Sequence, residues 1–133
     1  MNEEARHSAI RAIAEEADQY AGEYNQSIVD LESSLGLVRS ARSLVDTDRQ
    51  TVKEMEIRAA ATATGSNEAQ RKAEALRLLL ADLAYDRVST RLRLSEERLA
   101  GNEADAAIAT ERCRAARCML EVSAAHLRAL APS

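Results

Sequence analysis

Apolar side chains recur along the chain at alternating steps of three and four residues. In the first half this series runs from Ile10 to Ala59. Such spacing places the apolar residues on one side of an α-helix, whereas a β-strand would need alternation at every second residue. Ala, Leu, Glu and Arg, which are strong helix formers, dominate the composition. The pattern therefore predicts an all-α protein.

The second half of the chain carries two such apolar rows. The first row consists of Ala69, Ala73, Leu76, Leu80, Leu83, Leu94, Ala104, Ile108, Ala115, Cys118, Val122, Ala125 and Ala129. The second row consists of Tyr85, Val88, Leu92, Leu99, Ala106, Ala109, Cys113, Leu120 and Leu127. An apolar face this wide needs more than one neighbouring helix. We expect the first row to pack within the chain and the second row, above all Tyr85, Val88, Leu92, Leu99 and Leu120, to form a self-association face.

One well-defined break interrupts the helical pattern near the midpoint of the chain. We expect Gly65 to adopt a left-handed conformation just past the end of the first helix. Ser66 or Asn67 then caps the next helix, and with Asn67 as the cap, Gln70 occupies the reciprocal capping position. The sequence therefore predicts a turn at this point.

The chain is expected to form one helical domain, residues 1–133, folded as a long antiparallel hairpin. Its arms would cover about 3–63 and 68–130, with the turn at 64–67. Because one hairpin would leave an apolar row exposed, we expect two hairpins to associate into a four-helix bundle. The continuity of the arms stays open at three weaker break signals, near residues 25, 47 and 101.

Composition and charge narrow the possible roles. The net charge is only −4, with residues 1–36 at net −6 and residues 37–100 at about +2, so a strongly basic nucleic-acid footprint is missing. No apolar run is long enough to span a membrane, and the N-terminus lacks the pattern of a signal peptide. We therefore expect a cytoplasmic protein that does not bind membranes and whose cysteines are reduced.

Catalytic and metal-binding motifs are not found. His7 and His126 would need further ligands, such as Glu121, to hold zinc. Cys113 and Cys118 are five residues apart, which places them on different sides of a helix and excludes a redox CxxC motif. We expect no enzymatic activity, no cofactor and no metal.

Basic side chains near the turn and in the stretch after it are candidates for contact with a partner or a nucleic acid. They are Arg71, Lys72, Arg77, Arg87, Arg91 and Arg98. Neighbouring acids at helical spacing offer the alternative of a solvated salt-bridge face. Arg71 and Lys72 lie near the start of a helix, where the helix dipole disfavours cations, which favours a functional contact.

The stretch after the turn resembles a family of small helical proteins of unassigned role from tailed phages and prophages. The matching positions are Gly65, Asn67, Glu68, Ala69, Arg71, Lys72, Ala73, Leu76, Asp82 and Tyr85. The resemblance covers about half of the chain. It implies a protein made in a bacterial host cell, and by association of genes only, a connection with phage recombination.

Three functions are compatible with the sequence. The first is a non-enzymatic protein that self-associates and binds another macromolecule, a host protein or a protein of the replication or recombination machinery. The second is an accessory DNA-binding protein of recombination or replication. The third is a structural coiled-coil assembly component.

Overall fold

The structure, a computed structural model, describes residues 2–131. The outermost positions of the expected domain, residues 1, 132 and 133, lie outside the described residues. Three α-helices account for the described chain: α1 (Glu3–Thr62), α2 (Glu68–Ala81) and α3 (Leu83–Leu130). The prediction of an all-α fold with long helices packed against each other is confirmed.

The helices contribute to two compact units. The first unit combines the described residues up to Gly36 with those from Glu103 onward, and the second unit is Leu37–Asn102. α1 and α3 therefore each supply a segment to both units, whereas α2 belongs to the second unit alone.

Within the second unit, α1 and α3 run antiparallel. The Asn102 side chain lies near the Leu37 carbonyl oxygen, and further along α1 Glu56 accepts a hydrogen bond from Tyr85. The core consists of Val38, Ala41, Val45 and Ala59, which follow the steps of three and four that define one side of α1.

Within the first unit, the start of α1 meets the end of α3, so the two segments are again antiparallel. The Arg6 guanidinium donates a hydrogen bond from Nε to the Leu130 carbonyl oxygen at 3.0 Å. Ala106 and Ala109 of α3 are buried, and Ser123 is buried on the same side of the helix. These small side chains allow two helices to approach closely.

The three weaker break signals do not interrupt the helices. α1 runs without interruption past residues 25 and 47, and α3 runs without interruption past residue 101. The interruption that does occur after the turn lies at Asp82, where no break was expected. The second arm is thus divided into α2 and α3.

Candidate interaction surfaces

The segment between α1 and α2 contains the predicted cap. Asn67 has extended backbone angles, and its side-chain Oδ1 accepts a hydrogen bond from the Gln70 backbone N–H at 2.9 Å. The reciprocal bond is shifted by one residue, because Gln70 Oε1 accepts from the backbone N–H of Ser66 at 2.8 Å and also from the Ser66 hydroxyl. The backbone N–H and the side-chain oxygen of Gln70 therefore both bond the segment before α2 and hold it against the first turn of that helix.

The expected left-handed conformation of Gly65 is wrong, because no glycine among the described residues has a positive φ. The glycine is required for a different reason. A Cβ at position 65 would lie 2.9 Å from the Gln70 Cβ and 3.0 Å from the Arg71 backbone nitrogen. Gly65 thus permits a close approach of the turn to α2 rather than an unusual backbone angle.

Asp82 ends α2 and begins α3 at the same residue. Its backbone angles are extended, and its side-chain Oδ1 accepts a hydrogen bond from the Ala84 N–H at 2.9 Å. An aspartate side chain that bonds the backbone in this way competes with helical hydrogen bonding and favours a helix N-terminus. Asp86 in the first turn of α3 adds a favourable negative charge there. Asp82 and Asp86 are therefore a signal in the sequence from which the break between α2 and α3 could have been predicted.

Asp48 is a buried charge in the second unit. Its side chain accepts a hydrogen bond from Arg91 Nε at 2.8 Å and another from the Ser95 hydroxyl at 3.1 Å. Asp48 is 4% exposed, whereas the Arg91 side chain is 60% exposed. The aspartate lies on the apolar side of α1 without breaking the helix because both of its oxygens have partners in α3.

The six cations proposed as nucleic-acid contacts fall into two groups. Lys72 pairs with Glu68 at 3.1 Å, Arg77 pairs with Glu74 at 2.7 Å, and the Arg91 guanidinium is bound to Asp48. The hydrogen bonds from Arg77 lower the pKa of the Glu74 carboxyl below its usual range. Half of the proposed contact residues are thus engaged within the chain.

The remaining three cations have no ion pair recorded within residues 2–131. They are Arg71, Arg87 and Arg98, and all three are exposed. Arg71 and Lys72 border a small open cleft with Ala60, Glu68 and Ala75. The cleft contains an acid as well as two bases, so its charge is mixed.

The apolar row that was expected to pack within the chain is exposed, and the row that was expected to form the self-association face is at least partly covered. The residues expected to form the self-association face instead lie on the side of α3 that packs on α1 in the same chain, where they are at least partly covered. These residues are Tyr85, Val88, Leu92, Leu99 and Leu120. All members of the row expected to pack within the chain are exposed. Because the two rows have the same spacing, the register between α3 and α1 decides which of them is covered.

Tyr85 illustrates the packing of the covered row. Its hydroxyl donates a hydrogen bond to Glu56 Oε1 at 3.1 Å. Burial raises the pKa of the Tyr85 phenol, and the bond to the Glu56 carboxylate raises it further. The side chain thus links α3 to α1 within the second unit.

Three strongly exposed leucines lie on α2 and at the start of α3 in the second unit, and we call them the leucine patch. They are Leu76, Leu80 and Leu83, with exposures of 57%, 75% and 72%. On the other side of α2, Leu78 and Leu79 border an open cleft of about 240 Å³ together with Met55 of α1. α2 therefore presents apolar side chains on two sides, and only one side is covered by α1.

The histidines and cysteines are not brought together into a site. His7, His126 and Cys118 are exposed, and Cys113 is partly covered. Across residues 2–131, no group of three or more His, Cys, Asp or Glu side chains is arranged to hold a metal ion.

Within the described part of the chain, no helix combines the length and the apolar character needed to cross a bilayer.

Comparison of the chain with protein-family models, with curated proteins and with solved structures gives no match.

Proposed function

We propose that this chain is a non-enzymatic helical protein that self-associates and binds a second protein. The observation that carries the proposal is the exposed apolar row on the helices, which lies outside the core of each unit. Large apolar side chains in continuous rows on a surface mark interfaces, because water-exposed rows of this kind are rare in monomeric proteins. The resemblance of the stretch after the turn to small phage proteins supports a role in contact with other macromolecules.

The leucine patch is the surface we assign to the second protein. Leu76 and Leu80 are spaced i and i+4 on α2, which is the spacing of two anchors that a helix inserts into an apolar groove, and Leu83 follows at the start of α3. Leu80 is three-quarters exposed, so covering it would contribute about 1–2 kcal/mol to binding.

Self-association is tested by measuring the mass of the particle in solution as the concentration rises. The chain has a mass of 14.5 kDa, and we expect light scattering to give a value that approaches twice this mass. The range should extend to about 100 μM, where a dimer with a micromolar dissociation constant is populated. A mass of one chain at every concentration contradicts self-association.

Binding of a second protein is tested with a photo-crosslinking residue at position 80 and, as a matched control, at position 53. Both positions are exposed residues of the second unit, but Lys53 lies outside the leucine patch. We expect a discrete adduct in cell lysate from position 80 and none from position 53. Equal adducts from both positions, or none from either, contradict the assignment of the leucine patch.

DNA binding is the alternative that a specific observation supports, namely that Arg71, Arg87 and Arg98 are exposed and form no ion pair with any of residues 2–131. Residues 37–102 carry twelve basic and ten acidic side chains, so any attraction to phosphates would be local. The test is salt-dependent binding to short single- and double-stranded DNA. Binding at low salt that is lost in the triple variant R71A/R87A/R98A favours this alternative, and undetectable binding at low salt excludes it.

A further inference from the structure

α3 has a second apolar side within the first unit, opposite its packed side. Every third or fourth residue from 104 to 129 is exposed, and all of these residues except one are apolar. This outer row consists of Ala104, Ile108, Glu111, Ala115, Cys118, Val122, Ala125 and Ala129. The buried residues Ala106 and Ala109 point to the other side of the helix. The steps of four and three repeat without a break, which is the spacing of a coiled-coil seam.

The surface of the outer row contains a shallow depression lined almost wholly by apolar atoms. It is bordered by Ile108, Glu111, Arg112 and Ala115, together with Ala107. The first four of these are spaced i, i+3, i+4 and i+7, which are the four positions that form a hole for a side chain of a facing helix. The depression therefore has the shape that receives one apolar knob.

Resting on the proposed self-association, we infer that a second copy of this chain docks antiparallel on the outer row, with its Val122 in this depression. The two-fold symmetry of such a dimer makes the contact occur twice. In this register Ala115 faces Cys118 of the second copy, and Ile108 faces Ala125 of the second copy. The two-fold axis passes beside Ala115 and Cys118, and Ile108 and Val122, which are 52% and 49% exposed in one chain, become the largest apolar side chains covered on either side of it.

The charges beside the outer row select this register. Arg114, which also pairs with Glu111 of its own chain, faces Glu121 of the second copy, which also pairs with Arg117 of its own chain. Asp105 faces His126 of the second copy, and each of these contacts occurs twice. Shifting one copy by seven residues in one direction brings Arg114 against Arg114, and shifting it in the other direction brings Arg114 against Arg128. Like charges in these flanking positions disfavour both shifted registers.

A parallel arrangement is disfavoured by Glu111, the one charged member of the outer row. Parallel chains in register would place the two Glu111 carboxylates against each other. In the antiparallel register Glu111 instead lies beside Val122 of the second copy. Its carboxylate already pairs with Arg114 of its own chain at 2.6 Å, so it enters the interface with a countercharge.

The size of the contact sets its strength. Residues 104–129 extend over about 38 Å of helix. Many of the side chains are alanine, so the buried area lies near the low end of specific interfaces, about 1,200 Å² in total. We therefore expect a dimer with a dissociation constant in the micromolar range, populated at the concentrations given above.

The first experiment compares two identical substitutions in the same unit. Val122→Glu places a charge at the knob, whereas Val29→Glu changes a side chain on α1 that is 57% exposed and outside the outer row. Sedimentation equilibrium should give a dissociation constant at least about tenfold weaker for V122E and unchanged for V29E. Circular dichroism of both variants checks that their helix content is that of the wild type.

The second experiment tests the register by exchanging charges. R114E and E121R each place like charges together and should weaken the dimer. The double variant R114E/E121R restores two opposite pairs across the dimer and should regain affinity relative to both single variants, although it breaks the pairs with Glu111 and Arg117 within each chain. No gain over the single variants, or a dimer that R114E alone does not weaken, overturns the register, because in either shifted register the wild-type Arg114 already faces an arginine.

The third experiment tests direction with disulfide formation in a C113A background. We expect A115C to form covalent dimers on mild oxidation, because position 115 faces Cys118 of the second copy. A125C, whose added thiol would face Ile108, should form fewer. Efficient Cys118–Cys118 dimers in the background alone would indicate parallel chains and contradict the inference.

The outcomes separate the inference from the proposed function. If the wild type is a dimer and V122E is an equally tight dimer, the outer row is not the interface, but self-association stands. If the wild type is a monomer at every concentration, both the inference and the self-association fail.

Discussion

Asp48 and Arg91 provide the sharpest test of how the second unit is held together. Asp48 is buried and depends on Arg91 and Ser95 for its hydrogen bonds, at 2.8 Å and 3.1 Å. The Arg91 side chain is 60% exposed, so it keeps much of its hydration when Asp48 is removed. The two single substitutions Asp48→Ala and Arg91→Ala should therefore have unequal effects on the free energy of unfolding.

The two substitutions differ because each leaves a different partner without its ion pair. Arg91→Ala leaves a buried carboxylate that keeps the hydrogen bond from Ser95 and loses the one from Arg91, which should cost about 2 kcal/mol. Asp48→Ala leaves a guanidinium that turns to solvent and a half-buried hydroxyl, which should cost about 1 kcal/mol. The coupling between the two residues should be about 1 kcal/mol, since the exposure of Arg91 screens the ion pair.

The assay is urea unfolding of the wild type, both single variants and the double variant, at a concentration where the chain is monomeric. Asp48→Leu is a useful fourth variant, because it places an apolar side chain on the apolar side of α1 and should cost less than Asp48→Ala. A greater loss for Asp48→Ala than for Arg91→Ala, or a coupling near zero, would refute this reasoning about the buried charge.

Two further predictions concern the turn and the packed row. Gly65→Ala should lower the free energy of unfolding by about 1 kcal/mol, because the new methyl group would press on Gln70 and the start of α2, and urea unfolding measures the loss; wild-type stability would show that the close approach relaxes freely. Tyr85→Phe should remove part of the pH dependence of the free energy of unfolding at alkaline pH. The pKa of Tyr85 is raised in the folded chain. Its contribution to the free energy of unfolding is therefore fully present below the ordinary tyrosine pKa and is lost as the pH rises through the pKa of the folded state. From neutral to alkaline pH, the free energy of unfolding should therefore fall more steeply for the wild type than for the phenylalanine variant. Parallel curves for the two proteins would contradict this.

The fold was largely predictable because its signal is local. Steps of three and four between apolar residues define helices without knowledge of the partner helix, and Asn67 with Gln70 marks the start of α2. The bounds of α1 and the start of α2 lie within one residue of the arms expected from the pattern. Helix type and the main turn are thus properties of short stretches.

The side of α3 that packs inward could not be decided in this way. Its two apolar rows have the same spacing, so only the register between α1 and α3 distinguishes them. That register depends on contacts distant in sequence, such as Asp48 with Arg91 and Tyr85 with Glu56. The row of α3 that is partly covered within the chain was consequently not identified from the sequence.

The end of α2 and the role of Gly65 were missed for different reasons. Asp82 lies within an otherwise helical apolar stretch, and whether its side chain bonds the backbone depends on the local conformation. Gly65 was correctly placed in the turn, but a glycine serves close packing as well as positive φ, and the sequence does not distinguish these uses.

The most direct test of the central claim is the mass of the wild type and of V122E by sedimentation equilibrium from about 1 to 100 μM. We predict that the wild-type mass rises from the 14.5 kDa of one chain toward two chains, and that V122E needs a concentration at least about tenfold higher to reach the same mass. A wild type that remains at 14.5 kDa throughout this range would contradict the claim that the exposed apolar row binds a second copy.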